Sequence, residues 1–305
     1  MTDAVLEAMN LTKRYPGTRK QRGKLALDHL NLTVNQGEIF GFLGPNGAGK
    51  TTTIRLILDL IRPTDGRVSV MGMDAHRNST TIKRQVGNLP SEARLWDHMT
   101  GGQVVRYLCG LRPGCDYTYA LTLAERLNLN LNLHVRNYST GNKRKLGIVQ
   151  ALMHRPQLLI LDEPTMGLDP LVSHTFNELL LEARDEGRTV FLSSHQLTEV
   201  EQVCDRVGIL RDGKLQAVER ITDLKRVFYR WVTIYTHSPL DPAEWSGLEG
   251  VTNAMLQPNG IRLCVSGALD PVIKLAARYP VDNVSVEEPT LEDIFLAFYG
   301  RVPND

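Results

Sequence analysis

The sequence predicts an α/β fold, a mainly parallel sheet flanked by helices, followed by a small α+β domain. Three observations carry this. Leu158-Leu159-Ile160-Leu161 and Thr189-Val190-Phe191-Leu192-Ser193-Ser194 are continuous apolar runs, the pattern of parallel strands covered on both faces. Helical segments lie between such runs, and strands alternating with helices imply a parallel sheet. Gly44-Pro45-Asn46-Gly47-Ala48-Gly49-Lys50-Thr51-Thr52 fits G-x-x-x-x-G-K-[ST] between an apolar strand-like segment and a helical one, which is the context of a phosphate-binding loop.

Residues 5–15 and 25–34 read as strands, with a basic loop between them that carries Lys13, Arg14, Arg19, Lys20, Arg22 and Lys24. After the turn Asn35-Gln36-Gly37, residues 38–43 form the strand that feeds the phosphate loop. Gly44, Gly47 and Gly49 let backbone N–H groups approach an anion closely. Lys50 supplies a point charge for β- and γ-phosphates, and the Thr51 hydroxyl suits Mg²⁺. Residues 52–58 are predicted helical, so a helix N-terminus faces the anion.

Downstream, Arg62-Pro63-Thr64-Asp65-Gly66 marks a turn before a strand at 67–72. A short helix and strand at 80–87 lead towards Ser91 and Glu92. Residues 100–132 have helical spacing broken at Pro113-Gly114. Tyr138-Ser139-Thr140-Gly141-Asn142-Lys143 opens a helix that runs through Leu152 and stops at Pro156. The apolar strand at 158–161 ends in Asp162-Glu163-Pro164, and Gly167-Leu168-Asp169-Pro170 turns into a helix through Leu181. His195 follows the strand at 189–194, and residues 207–218 read as a hairpin around Asp212-Gly213. Ligands of open α/β sheets bind at the carboxyl ends of strands, so Gly44, Asp162 and His195 are predicted at one sheet edge.

Composition narrows the function. Net charge is +1 over 305 residues, and the basic loop lacks interleaved aromatics, so no nucleic-acid partner is expected. The N-terminus shows no basic-then-apolar leader. No run approaches the ~18 apolar residues of a membrane span, so the chain is expected to be soluble by itself and to reach a membrane only through a partner. Cys109, Cys115, Cys204 and Cys264 are scattered, without C-x-x-C spacing, and are expected to be reduced thiols. Asp162, downstream of a phosphate loop and at a strand end, is the residue type that holds Mg²⁺ opposite Thr51. Glu163 can orient or deprotonate a water for attack on a γ-phosphate.

Over roughly residues 5–220 these motifs resemble, in order, the ATP-binding subunits of ABC transporters. Gly44 to Thr52 looks like Walker A, and residues 158–163 look like Walker B with its catalytic glutamate. Tyr138 to Asn142 looks like the signature, Gly167-Leu168-Asp169 like the D-loop, and His195 like the switch histidine. Tyr15 stands where the family often has an aromatic that stacks on adenine. The resemblance implies a P-loop NTPase fold of the RecA-like type with an antiparallel β subdomain and a helical insertion near 92–155. It implies ATP and Mg²⁺ as ligands and a head-to-tail dimer, either a homodimer or a heterodimer with a sister ATPase chain. Ser139, Thr140, Gly141 and Asn142 would there meet the γ-phosphate held by the other subunit, with Lys50, Glu163 and His195 catalytic. The expected location is the cytoplasmic face of the membrane, peripheral through a permease.

Two positions depart from the pattern. The signature is commonly Leu-Ser-Gly-Gly-Gln, and here it is Tyr138-Ser139-Thr140-Gly141-Asn142. The family usually has a Gln after a strand, bound to Mg²⁺ and water and linked to the membrane subunit; here Ser91 stands there, and Glu92 is expected to reach in instead. Beyond residue 222 the composition changes, with strands expected at 231–235, 261–265 and 284–286 and helices at 270–279 and from Thr290, where Asp293 completes a capping box. Leu291, Ile294, Phe295 and Phe298 form the apolar face of that last helix. The phrase Glu288-Pro289-Thr290-Leu291-Glu292-Asp293-Ile294-Phe295-Leu296 resembles the tail of ATPases that drive ABC-2 type exporters. The resulting expectation is an ATPase powering a separate ABC-2 type permease, with residues 1–221 as the ATP-binding domain and 222–305 as an accessory domain. A soluble ABC-type ATPase acting on ribosomes or DNA is the alternative.

Overall fold

A computed structural model describes residues 4–17, 23–92, 95–112, 114–223 and 230–287. The chain divides into two units, Met1–Arg220 and Ile221–Asp305.

The first unit holds two sheets. Strands β1 (Ala4–Tyr15), β2 (Lys24–Asn35), β4 (Asp65–Val70) and β5 (Met73–Asp74) form an antiparallel sheet in the order β2-β1-β4-β5. The larger sheet runs β10-β9-β3-β8-β7-β6. Its members are β3 (Ile39–Leu43), β6 (Val86–Leu89), β7 (Leu158–Asp162), β8 (Thr189–Ser194), β9 (Arg206–Arg211) and β10 (Lys214–Arg220). All pairings in it are parallel except the hairpin β9–β10. Every residue of β3, β7 and β8 is buried, which is why these strands read as unbroken apolar runs rather than alternating ones.

The register fixes the functional edge. Leu43 pairs with Ser194 and Asp162 with Ser193, so β3, β7 and β8 end at nearly one level. Their following residues therefore emerge side by side. Beneath them Phe42 and Phe191 pack with ring centroids 5.4 Å apart, and Ile54 and Ile57 of α1 (Lys50–Ile57) join the same core. Each such side chain contributes about 1.5–3 kcal/mol by leaving water.

The helices are α2 (Ser79–Gln85), α3 (Gly101–Gly110), α4 (Tyr117–Arg126), α5 (Thr140–Leu152), α6 (Pro170–Asp185) and α7 (Leu197–Val203). Capping residues explain several starts: Thr100 and Gln103 make a reciprocal box at α3, Asp116 caps α4, and Asp169 caps α6 by accepting from Val172 N at 2.9 Å. The break expected at 113–114 separates α3 from α4, and Gly114 adopts φ +76°. The reduced state expected of all four cysteines is corrected here. Cys109 and Cys115 are disulfide-bonded, because the turn between α3 and α4 folds their Cα atoms to 5.4 Å. Cys204 and Cys264 are free and buried. At the far end of α5, His154 sits part-buried with Nε2 3.3 Å from Val86 O and a buried Nδ1 that has no partner.

The second unit is an antiparallel sheet in the order β12-β13-β11-β14. It comprises β11 (Arg230–Tyr235), β12 (Val251–Gln257), β13 (Gly260–Val265) and β14 (Asn283–Glu287), with helices α8 (Pro242–Ser246) and α9 (Asp270–Ala276). Val232, Ile234, Ile261, Leu263, Trp245 and Val272 form its core. The expected strands at 231–235, 261–265 and 284–286 and a helix starting at Asp270 are all present. Strand β12 was not anticipated: it is an edge strand with no buried residue, so it lacks apolar alternation. The expected helix from Thr290, with its capping box and its apolar face, lies outside the described residues. No helix among the described residues is long and apolar enough to cross a membrane.

Candidate nucleotide site

The turn from β3 into α1 needs its glycines. Gly49 has φ +118°, and a Cβ there would stand 2.7 Å from Ala26 O; at Gly44 it would stand 2.5 Å from Leu210 O. A side chain at either position would push the loop off the sheet. The loop lines a cleft of about 350 Å³ together with Tyr15, Lys24, Ser91 and Glu163. Pro45, Asn46 and Gly47 are exposed on its lip, and Ala48, Gly49 and Lys50 are buried beneath it.

Lys50 donates to Gly44 O at 2.5 Å and pairs with Glu163 Oε1 at 3.2 Å. Thr51 Oγ1 donates to Asp162 Oδ2 at 3.0 Å, and Ser193 Oγ donates to Asp162 Oδ1 at 2.6 Å. Glu163 Oε2 lies 2.7 Å from His195 Nδ1. Lys50, Thr51, Asp162, Glu163 and His195, scattered over 146 positions of sequence, thus form two short chains of polar contacts on adjacent strand ends. Thr51 and Asp162 present hard oxygen donors, and among the described residues no three or more His, Cys, Asp or Glu are arranged to hold a metal ion by themselves. That donor set fits Mg²⁺, which keeps several waters and takes one or two carboxylates plus phosphate oxygens.

Glu163 carries φ +50°, a left-handed conformation that costs a non-glycine residue about 1–2 kcal/mol. Its N–H points at Ser193 O at 3.1 Å and Ser193 Oγ at 3.2 Å. Ser193 therefore supports both acids, a role that its place in an apolar strand concealed. His195 also lines a second cleft of about 570 Å³, with Met166, Gly167 and Leu168. The Glu163–His195 contact joins the two clefts.

Ser139 is the N-cap of α5, accepting from Asn142 N at 3.2 Å; its own O–H stays available. Ser139 and Thr140 are exposed, and none of Ser139, Thr140, Gly141 or Asn142 lines the cleft of the phosphate loop. A Cβ on Gly141 would stand 3.0 Å from Gly167 O, so the Ser139 turn and the Gly167 turn abut. Tyr15 lines the cleft, with its Oη 3.5 Å from Thr52 Oγ1. Ser91 lines the cleft as well, whereas Glu92 is exposed and outside its lining.

Sequence reasoning missed Arg144. It is buried in α5 and its guanidinium faces the loops after β6 and β7; burial pulls its pKa down to about 10 against the opposing charges of Asp162 and Glu163. The available signal was a cation two residues before Leu146 on the apolar side of the helix.

Comparison with known proteins identifies the family. The ABC transporter family matches residues 27–166. The bacitracin transport ATP-binding protein BcrA of Bacillus licheniformis is 39% identical over 215 residues, covering 69% of this chain and 68% of that protein. The linearmycin resistance ATP-binding protein LnrL of Bacillus subtilis is 31% identical over 99% of this chain and 100% of that one. A bacterial ABC transporter cassette solved as a dimer superposes with a TM-score of 0.66 at 25% identity, over 71% of this chain and 98% of that chain. With its phosphate loop, acid pair and histidine on one sheet edge, the chain belongs to the ABC transporter family, as an ATP-binding subunit whose characteristic activity is ATP hydrolysis.

Proposed function

We propose that this subunit pairs with a second ATPase chain around two ATP molecules and drives export through a separate ABC-2 type permease, from the cytoplasmic face of the membrane. The observation that carries the reading is the joint engagement of Glu163 by Lys50 and His195. Without a phosphate, the lysine is neutralised by the carboxylate. A phosphate chain in the loop is the competing anion, and it draws Lys50 away and frees Glu163 to accept a proton from water. His195 holds the other carboxylate oxygen and keeps the group aimed. Thr51 and Asp162 would hold Mg²⁺, which supplies charge neutralisation at the β- and γ-phosphates. Tyr15 on the cleft wall offers a ring face for adenine.

Pairing is supported by the outward-facing Ser139 turn, a helix N-terminus with a free hydroxyl donor. In a head-to-tail pair it meets the phosphates of the other chain, with Gly167, Leu168 and Asp169 beside it. Export is supported by relatives named for bacitracin transport and linearmycin resistance. The surface at 91–102, where Trp96 is exposed and stacks edge-on with Tyr107, is the place for a short cytoplasmic helix of the permease. A division near residue 221 leaves the C-terminal unit as an accessory domain.

Glu163→Gln tests the reading. It should bind ATP at least as tightly as the wild type, lose at least about 100-fold in turnover, and accumulate as a dimer by size-exclusion chromatography with ATP. Turnover at the normal rate would remove Glu163 from the role given to it.

A further inference from the structure

All five N–H donors of one guanidinium are engaged at Arg144. Nε donates to Pro164 O at 2.9 Å, Nη1 to Pro90 O at 2.5 Å and Ser91 O at 3.2 Å, and Nη2 to Asp162 O at 2.6 Å and to Glu163 O. Arginine has five N–H donors in a fixed planar fork. The acceptors come from two loops, the one after β6 and the one after β7, and the donor sits on α5, whose N-cap is Ser139. Three parts of the site thus share one side chain that is only 5% exposed.

The contact to Glu163 has a particular consequence. Glu163 is left-handed, and such a conformation persists only where its surroundings over-determine it. Ser193 holds its N–H and Arg144 holds its carbonyl. The Ser91 carbonyl is tied to the same fork, at the position where the family's coupling glutamine is missing.

We propose that Arg144 is a positioning residue for hydrolysis: it fixes the Glu163 backbone so that the carboxylate is aimed, and it joins that backbone to the Ser91 loop so that displacement of one moves the other. This rests on the reading of Glu163 as the water-activating group. Coupling between the permease-facing loop and the acid then runs through main-chain carbonyls and a guanidinium rather than through a glutamine side chain.

The test uses the full chain, with steady-state hydrolysis of ATP and binding of a fluorescent ATP analogue. Arg144→Met should lower kcat at least about 10-fold with KM and analogue affinity within about twofold, the pattern of an interaction used only in the transition state. Arg144→Lys keeps the charge but has three donors from one point; it should fold, as checked by circular dichroism, and still lose about fivefold or more in kcat. In single-turnover assays Arg144→Met added to Glu163→Gln should cost nothing further, since Arg144 acts through Glu163. Wild-type kcat in folded Arg144→Lys, weakened analogue binding with kcat intact, or an independent further loss in the double variant would each overturn the proposal. Unchanged hydrolysis by Glu163→Gln would overturn the parent reading, and this one with it.

Discussion

The helix N-termini of α1 and α5 differ in how they are completed. At α1 the chain itself supplies everything. Lys50 is buried, Thr51 is bonded to Asp162, and Glu163 and His195 close the network. At α5 the turn offers a capping serine, a glycine and a backbone terminus, exposed and with no basic residue of its own in the first turn except Lys143, which leans 3.7 Å from Asp97. One site holds its charges in mutual pairs at the strand ends; the other has only Lys143, paired with exposed Asp97. On the proposed pairing, the α5 turn would gain a ligand only when another copy or a sister chain brings one.

The strongest challenge to this contrast is Lys50→Ala. It removes the phosphate cation and leaves Glu163 without its ion-pair partner, so kcat/KM for ATP should fall about 1,000-fold or more, with ATP binding by the isolated chain lost as well. Retained binding would mean that the loop backbone alone suffices. Ser139→Ala sharpens the other side. It should leave ATP affinity of the isolated chain unchanged while lowering hydrolysis about 10-fold, and cost about 1 kcal/mol of stability through the lost cap, read as a shift of about 2–4 °C in melting temperature. If ATP affinity fell with Ser139→Ala, the two sites would not be separable in the way described.

The sequence made the first site almost fully legible. A phosphate loop is contiguous, and an acid pair at the end of an apolar run announces both its place and its level in the sheet. What brought Glu163 to Lys50 was parallel register, and that could be inferred from three apolar strands of similar length. Arg144 and Ser193 were harder to read. One is a cation inside a helix pattern and the other a small polar residue at a strand end, and only the three-dimensional convergence of carbonyls from two loops gives them meaning. The Cys109–Cys115 bond escaped because its six-residue spacing matches no recognised framework and depends on how one turn folds. Strand β12 escaped because an exposed edge leaves no apolar period to detect.

The imidazole of His154 makes part of the fold's stability depend on pH. Burial, with the charge of Arg112 adding to it, pulls its pKa from 6.5 to about 4. Between those values the unfolded chain carries a proton that the folded chain refuses. The stability this group allows is thus present above about pH 6.5 and declines as pH falls through the window towards 4. Discounted for its partial exposure, the loss between pH 7 and 5 is about 1–2 kcal/mol. Urea melts at those two pH values should show a smaller difference for His154→Leu than for the wild type, and an equal difference would assign the acid sensitivity to other groups. Acidification towards pH 5 thus costs this fold stability at a residue that does not line the nucleotide cleft.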